Sequence, residues 1–473
     1  MFFKSKRPMQ RRTAVAAPNA GIERLEDRTL FATFNVTPNP DANPFLTTPI
    51  QNAVNLAVAT PGPDTIIVAP GIYRESVVIP ATETDLRILG PKASTVASFT
   101  SRTGTPGGTN AATLGEAVLD GTTGSNLLAG PGFTVLADRV TIAGFYIRKY
   151  VGQGNGPLGT GSGIYTSPLA SGYTLRNNVL RDNSIGVYFN ASGVQYSQIV
   201  GSRFERNNAR FGVASAAGNG VYSDQGLQGA DIEFSAFTGH RNAGVIVIGA
   251  PGAPVAPATG QARAVDVHHN QSRNDTNAFA LFFGVVQGRI TDNTVDITGF
   301  NEGGAIVIGG GNRNITVQSN RITGGVESGV LVAPFFGANA GINIFSNTIT
   351  GRTYGVWLRG PEDGEFQVVG NRIINSRRFG ILVGDVPNGG PDLVRNQGNP
   401  TGSMISRNNV SGTPLTFQYQ ISPGLFQQVN GFDIFDAADT PGFGTSNTGN
   451  FYHANTGRGN RPGLGSSTGP VLV

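Results

Sequence analysis

The sequence contains no cysteine. Disulfide scaffolds, thiolate zinc sites and cysteine nucleophiles are therefore excluded. Charge is scarce: 14% of residues are Asp, Glu, Lys or Arg, against roughly 25% in an average globular protein. Residues 1–28 hold seven of the 34 bases and three of the 30 acids, so the other 445 residues carry 27 of each sign. The net charge of +4 belongs to the head, and the neutral body offers no electrostatic surface for nucleic acid. Long apolar runs are missing too. Ala278–Val286, interrupted once by Gly, spans nine residues, and a membrane-crossing helix needs about 20. Gly (68) and Pro (28) make up a fifth of the chain, below the roughly 25–30% of low-complexity disorder. The chain can bury a core, but amides and hydroxyls instead of charges must cover its surface.

What is present is a repeat. An apolar-x-x-(Asn or Ser)-x-apolar segment recurs, followed by Gly-apolar-x-apolar. The polar residues are Asn178, Ser202, Ser235, Asn270, Asn293, Asn320, Asn347, Asn371 and Asn408, spaced 24, 33, 35, 23, 27, 27, 24 and 37 apart. Within each repeat apolar residues alternate with period two, and Val, Ile, Phe and Thr dominate, which are strand signals. No segment between them has a 3.6-residue stripe long enough for a crossover helix, so parallel strands must close by coiling. The pattern predicts a solenoid in which each residue stacks on its counterpart about 4.8 Å away. The Asn/Ser column becomes an internal ladder at a turn, and Gly at the second segment permits a bend. Pro49–Ala59 reads as an amphipathic helix that caps the open end of the core.

The repeat resembles PbH1, the right-handed parallel β-helix of the pectin-lyase superfamily. Asp64-Thr-Ile-Ile-Val-Ala-Pro-Gly-Ile-Tyr-Arg-Glu75 is similar to that family's first coil, and Ala137–Ile147 to its inner coils. The implied fold is all-β, a right-handed parallel β-helix over 45–425. It is preceded by a basic leader, 1–44, and followed by a Gly/Ser/Asn-rich tail, 426–473. Within the leader, Ile22–Ala32 resembles the LEPR-XLL segment that opens many bacterial cell-surface proteins. Leu25, Glu26, Arg28 and Leu30 match, while Asp27 replaces its Pro and Phe31 its Leu. That resemblance implies an extracellular or bacterial cell-surface location.

The superfamily's catalytic signatures do not transfer. The Asp-Asp and Gly-His-Gly elements of polygalacturonases are missing, and the one Trp lies outside a pectate-lyase context. Asp266-Val-His-His-Asn270 keeps only Asp and His of the Asp-Pro-His-acid element of alginate epimerases. Register supplies an independent search. Positions four and two before the ladder residue point outward. Their ionisable residues gather in three successive coils: Asp231 and Glu233, Asp266 and His268, then Arg289. Asp231 should lie over Asp266, and Glu233 over His268. Stacked carboxylates raise one pKa, as a general acid requires. Two residues span about 6.7 Å along a strand, within the roughly 6.5–9.5 Å of inverting hydrolases. His240 and Asp275, each five places after a ladder residue, are expected to flank this site. The plainer alternative is a solvated network of ion pairs.

A second outward column contains Tyr188, Tyr222 and Trp357, whose rings suit stacking on sugars. Coverage by an insertion is the alternative. Glu362-Asp-Gly-Glu365 is an acidic turn with oxygen ligands for Ca²⁺; no other cofactor and no metal-ligand spacing is evident. The leading expectation is therefore a β-helix that binds an extended polysaccharide without cutting it. The alternatives are a polysaccharide lyase, epimerase or hydrolase using the acidic cluster, and an adhesive solenoid.

Overall fold

The computed structural model describes residues 31–38, 48–98, 115–123, 126–128, 130–154, 156–249, 262–298, 304–335, 337–360, 366–384, 402–422, 425–430, 432–436, 451–457 and 470–471. Strands dominate and form three long sheets, each coil contributing one strand to each sheet in turn. Among the described residues the first sheet has 14 strands, from Thr33–Val36 to Phe451–His453. The second also has 14, beginning at Gly71–Tyr73, and the third has 12, from Val77–Ile79 to Phe432–Asp436. Pairing within these sheets is parallel except for the short edge strand Pro470–Val471. This is the parallel β-helix the repeat implies, and a right-handed crossover is the hand such strands adopt almost without exception.

The core is a set of axial columns. Ile232, Val267, Ile290, Val317, Ile344, Val368 and Ile405 pair in register and are at most 1% exposed. Apolar side chains stacked this way bury nearly all their area, which supplies the main driving force.

Beside that column runs the amide ladder. The Asn293 N–H donates to Asn320 Oδ1 at 3.1 Å, and Asn320 N–H to Asn347 Oδ1 at 2.9 Å. Each Nδ2 also donates to a carbonyl of the preceding coil, as Asn320 does to Ile290 at 2.8 Å. The sharp corner comes from the residue before each ladder position, which takes positive φ: 46° at Phe234, 53° at His269, 55° at Asp292 and Ser319. The repeated Gly of the third sheet has a different job from the bend the sequence suggests. A Cβ on Gly220 would lie 2.5 Å from the Gly244 carbonyl oxygen and 2.7 Å from the Phe237 ring. Its role is space.

The helix Pro49–Val58 covers the first coils through Ile50, Ala53, Val54 and Ala57. Its N-terminus lacks a local side-chain cap. Glu75, from the first coil, accepts instead from the N–H groups of Ile50 (3.1 Å) and Gln51 (3.0 Å). Those donors favour the carboxylate, yet burial dominates and pushes it up to about 7.

At the far end the coils run past residue 425, where a tail was expected. Phe432–Asp436, Phe451–His453 and Asn455–Thr456 join the three sheets. Asn455 Oδ1 accepts from the Asn408 N–H at 3.0 Å, extending the ladder across a gap of 47 residues that hides the period. Thr416–Ser422 and Leu425–Asn430 form an antiparallel hairpin of their own. Most of the leader and the acidic turn at 362–365 lie outside the described residues.

Candidate functional site on the first sheet

Strands Leu227–Glu233, Arg263–His268 and Arg289–Thr291 are adjacent in the first sheet. Asp231 pairs with Asp266 and Asp266 with Arg289, while Glu233 pairs with His268. All five expected side chains therefore share one outward face. His268 Nε2 lies 2.7 Å from Asp231 Oδ1 and 3.8 Å from Glu233 Oε2. The imidazole sits between two carboxylates of the neighbouring strand. Asp231 Oδ1 is sealed from solvent at that contact. His268 Nδ1 and His269 Nδ1 are 2.8 Å apart, one donating and one accepting. Arg289, 61% exposed, approaches Asp266 at 3.7 Å.

Two expectations about this cluster need correction. Burial, not stacking, is the main cause that raises Asp231; Glu233 and Asp266 add to it and His268 opposes. Burial likewise raises Asp266 against the pull of Arg289. And the carboxylates converge more than the strand spacing suggests. One oxygen each of Asp231 and Glu233 and a nitrogen of His268 lie within 4.8 Å of one another. That is below the roughly 6.5–9.5 Å between carboxyl groups in inverting hydrolases. The same three atoms form a set able to hold a transition metal through one nitrogen and two oxygens.

Sequence reasoning missed the aromatic residues beside the cluster. The strand Ala191–Val200 carries an irregularity: Ser192 pairs with Gln228 and Ser197 with Ala230, so residues 193–196 bulge opposite Gly229. Bulges re-aim side chains in this way. Tyr196, 54% exposed, stands there; partial burial and Asp231, chiefly, push its phenol up to about 12. Beyond Glu233, Phe234 is 43% exposed. Its ring stacks on His269 at 5.1 Å and meets His268 edge-on at 6.4 Å. Phe234 was legible as an apolar residue at the αL corner position; the bulge had no signal in the period.

The other expected site residues lie elsewhere. His240 and Asp275 are fully buried in the corner between the second and third sheets. His240 Nδ1 is 2.8 Å from Asp275 Oδ1, which also accepts the His240 backbone N–H at 2.8 Å. Ser272 Oγ donates to Asp275 Oδ2 at 2.7 Å, and Asn207 Nδ2 lies 3.2 Å from His240 Nε2. They extend a second internal ladder, Asn183–Asn207–His240–Asp275, and do not flank the acidic cluster. Tyr188, Tyr222 and Trp357 are at most 5% exposed and belong to an apolar cluster on the outside of the third sheet, which includes Ala216 of the preceding loop. The Tyr188 and Tyr222 hydroxyls donate to Asp224, and Trp357 Nε1 donates to the Gly384 carbonyl at 2.9 Å. Their faces are covered and offer no sugar platform. Ala216 of that loop packs against this cluster on the third sheet. A further charged row, unread from sequence, occupies the second sheet: Arg148 with Asp120 at 2.7 Å, and Arg181 and Arg203 with Glu205.

No family model and no curated protein matches the sequence. Among solved structures, the chain is similar to DFA-IIIase from Arthrobacter chlorophenolicus A6 without its lid. The identity is 14%, covering 90% of this chain and 95% of that one, with a TM-score of 0.48. It is also similar to the A-module of the mannuronan C-5 epimerase AlgE6 of Azotobacter vinelandii (13%, 85% and 94%, TM-score 0.39). The Dettilon tailspike protein is a third (13%, 80% and 67%, TM-score 0.42). Likeness at this level says nothing about activity. The parallel β-helix stands on the chain's own three sheets. No helix among the described residues is long and apolar enough to cross a membrane.

Proposed function

We propose that the chain binds an extended polysaccharide across the outer face of the first sheet, and that the Asp231–Glu233–Asp266–His268–Arg289 cluster transfers protons on the bound sugar. The observation that carries this is His268 Nε2, held 2.7 and 3.8 Å from two carboxylates on a partly solvent-accessible face with Tyr196 and Phe234 beside it. Exposed rings stack on sugar faces through their apolar area. Asp231, raised by burial, is the proton donor. Its neighbour Glu233 and the His268–His269 pair accept and relay the proton. Arg289, loosely paired and exposed, is placed to offset a substrate carboxylate, which favours a uronate-containing polymer. Since the carboxylates close on an imidazole, elimination or epimerisation at a uronate suits the site better than inverting hydrolysis. An exported, surface-associated setting follows from the resemblance of residues 22–32 and fits a polymer too large to enter a cell.

The test is a screen of uronate and neutral polysaccharides, following unsaturated or epimerised product, with His268→Ala and Asp266→Asn beside the wild type. Loss of product by at least 100-fold in His268→Ala is expected, with polymer binding retained. Equal product from all three removes the catalytic role. Binding without product from any of them leaves a polysaccharide-binding solenoid.

A further inference from the structure

The charged row on the second sheet is neutralised at one end and bare at the other. At its start Arg148 meets Asp120, and Glu205 holds Arg181 and Arg203. Further along, arginine recurs on every second coil. The strands Arg203–Glu205, Gln271–Arg273, Arg321–Gly324 and Arg372–Ile374 each present one outward. They alternate with Ala236–Thr238, Thr294–Ile297, Thr348–Thr350 and Asn409–Ser411, which present none. Coils stack about 4.8 Å apart, so the arginines recur about every 9.6 Å along the axis. Pairing through Thr348 puts Arg321 and Arg372 in one column. Arg273 pairs with Asp296, two residues along the strand, an offset of about 6.7 Å that a long flexible side chain spans. Arg273, Arg321 and Arg372 are exposed, and none makes an ion pair or a side-chain hydrogen bond among the described residues. On the strands from Gln271 to Ser411 in this sheet the one acid is Asp296.

A cleft of about 180 Å³ opens on this face, lined by Arg203, Ala236, Thr238, Gln271, Arg273 and Asp296 among others. Ala236 and Thr238, on the coil between the two arginines, are small. We propose that this row is a track for a linear polysaccharide with a carboxylate on alternate sugars, lying along the solenoid axis and across the strands. Arginine's planar fork matches a carboxylate through two parallel N–H···O bonds. Successive rings of an extended sugar chain advance by about the rise of one coil, so charge on every second ring keeps step with arginine on every second coil. Gln271, Thr294, Thr323 and Thr348 stand beside and between the arginines and pair with sugar hydroxyls. Asp296 occupies the coil between Arg273 and Arg321, where it repels a polymer charged on every ring, and such repulsion gives selectivity. The strands from Gln271 to Ser411 in this sheet contain no aromatic residue, so charge and hydrogen bonds carry the binding and salt weakens it. The track lies on a different sheet from the acidic cluster and does not depend on what that cluster does.

The test measures binding of a labelled hyaluronan hexasaccharide, which has a carboxylate on alternate rings, to the full chain. The hexasaccharide should bind about tenfold or more tighter than the disaccharide, because it engages three arginines together. Dextran, which is neutral, should not compete, and affinity should fall severalfold as NaCl rises from about 50 to 200 mM. The combined variant Arg273→Gln, Arg321→Gln, Arg372→Gln should bind about tenfold more weakly with its thermal midpoint unchanged, as exposed substitutions leave it. Arg289→Gln and His268→Ala, on the first sheet, should bind as the wild type does. Asp296→Asn should bind polygalacturonate, charged on every ring, more tightly than the wild type does. The proposal is overturned if the combined variant binds like the wild type, if dextran competes equally, or if a single-stranded oligonucleotide binds more tightly than the hexasaccharide. Binding lost in Arg289→Gln and kept in the combined variant would assign the polymer to the first sheet and overturn this track alone.

Discussion

Two histidine–carboxylate contacts among the described residues, His240–Asp275 and His268–Asp231, teach different things. At the corner, His240 is wholly buried, its Nδ1 faces a carboxylate that also takes its backbone N–H, and its Nε2 meets an amide. On the sheet face, His268 is partly exposed, with Nε2 2.7 Å from Asp231 and 3.8 Å from Glu233. The residue types are the same. What separates them is position in the coil: five places past a ladder residue the side chain turns into the second ladder, and two or four places before one the side chain turns out. Buried charge survives only when every partner is in place, so the corner pair is structural. The face pair keeps spare valence, as a reactive group must.

The comparison breaks most visibly under truncation. Asp275→Ala leaves an imidazole and a backbone N–H buried without their acceptor, and should cost about 3–5 kcal/mol in denaturant unfolding. His268→Ala should change stability by less than about 1 kcal/mol, as exposed pairs do. Comparable losses in the two variants would erase the distinction. Next in size is the ladder itself. Asn320→Ala strands the Asn293 N–H and the Ile290 carbonyl, at about 1–3 kcal/mol for each buried group; a cost near zero would mean that water replaces the amide. Glu75→Ala uncaps the helix Pro49–Val58 and should lose about 1–2 kcal/mol, seen as earlier loss of protection from hydrogen exchange in that helix. The smallest effect is the pH response of the face. Asp231 and Asp266 are raised in the fold, so the folded state binds protons more tightly than the unfolded chain. Their contribution is most favourable while protonated, and is lost as pH rises from the unfolded value near 3.8 through the raised values. Asp231→Asn should flatten that slope in unfolding measured from pH 3 to 7.

Much of this was legible beforehand. The spacing of Asn293, Asn320 and Asn347 predicted their axial stack, and counting back from them placed Asp231 over Asp266 and Glu233 over His268. Counting forward failed for His240 and Asp275, because a corner interrupts the alternation of a strand and turns inward what a straight strand would turn outward. Tyr188, Tyr222 and Trp357 point out of the third sheet as read, but a periodic pattern is blind to what packs over a face. Tyr196 escaped because a bulge has no period, and the coil that contains Asn455 escaped because its insertion is longer than the repeat it interrupts.

By itself, then, the order of residues determined the solenoid, its columns and the stacking of like positions. Each of those depends only on local alternation and a repeated length, which parallel pairing converts directly into contacts. Tertiary structure alone decided which of the stacked polar residues stay wet, which rings are covered, and how closely two carboxylates approach an imidazole. Burial and side-chain direction are set by neighbours from distant coils, and no single repeat contains them.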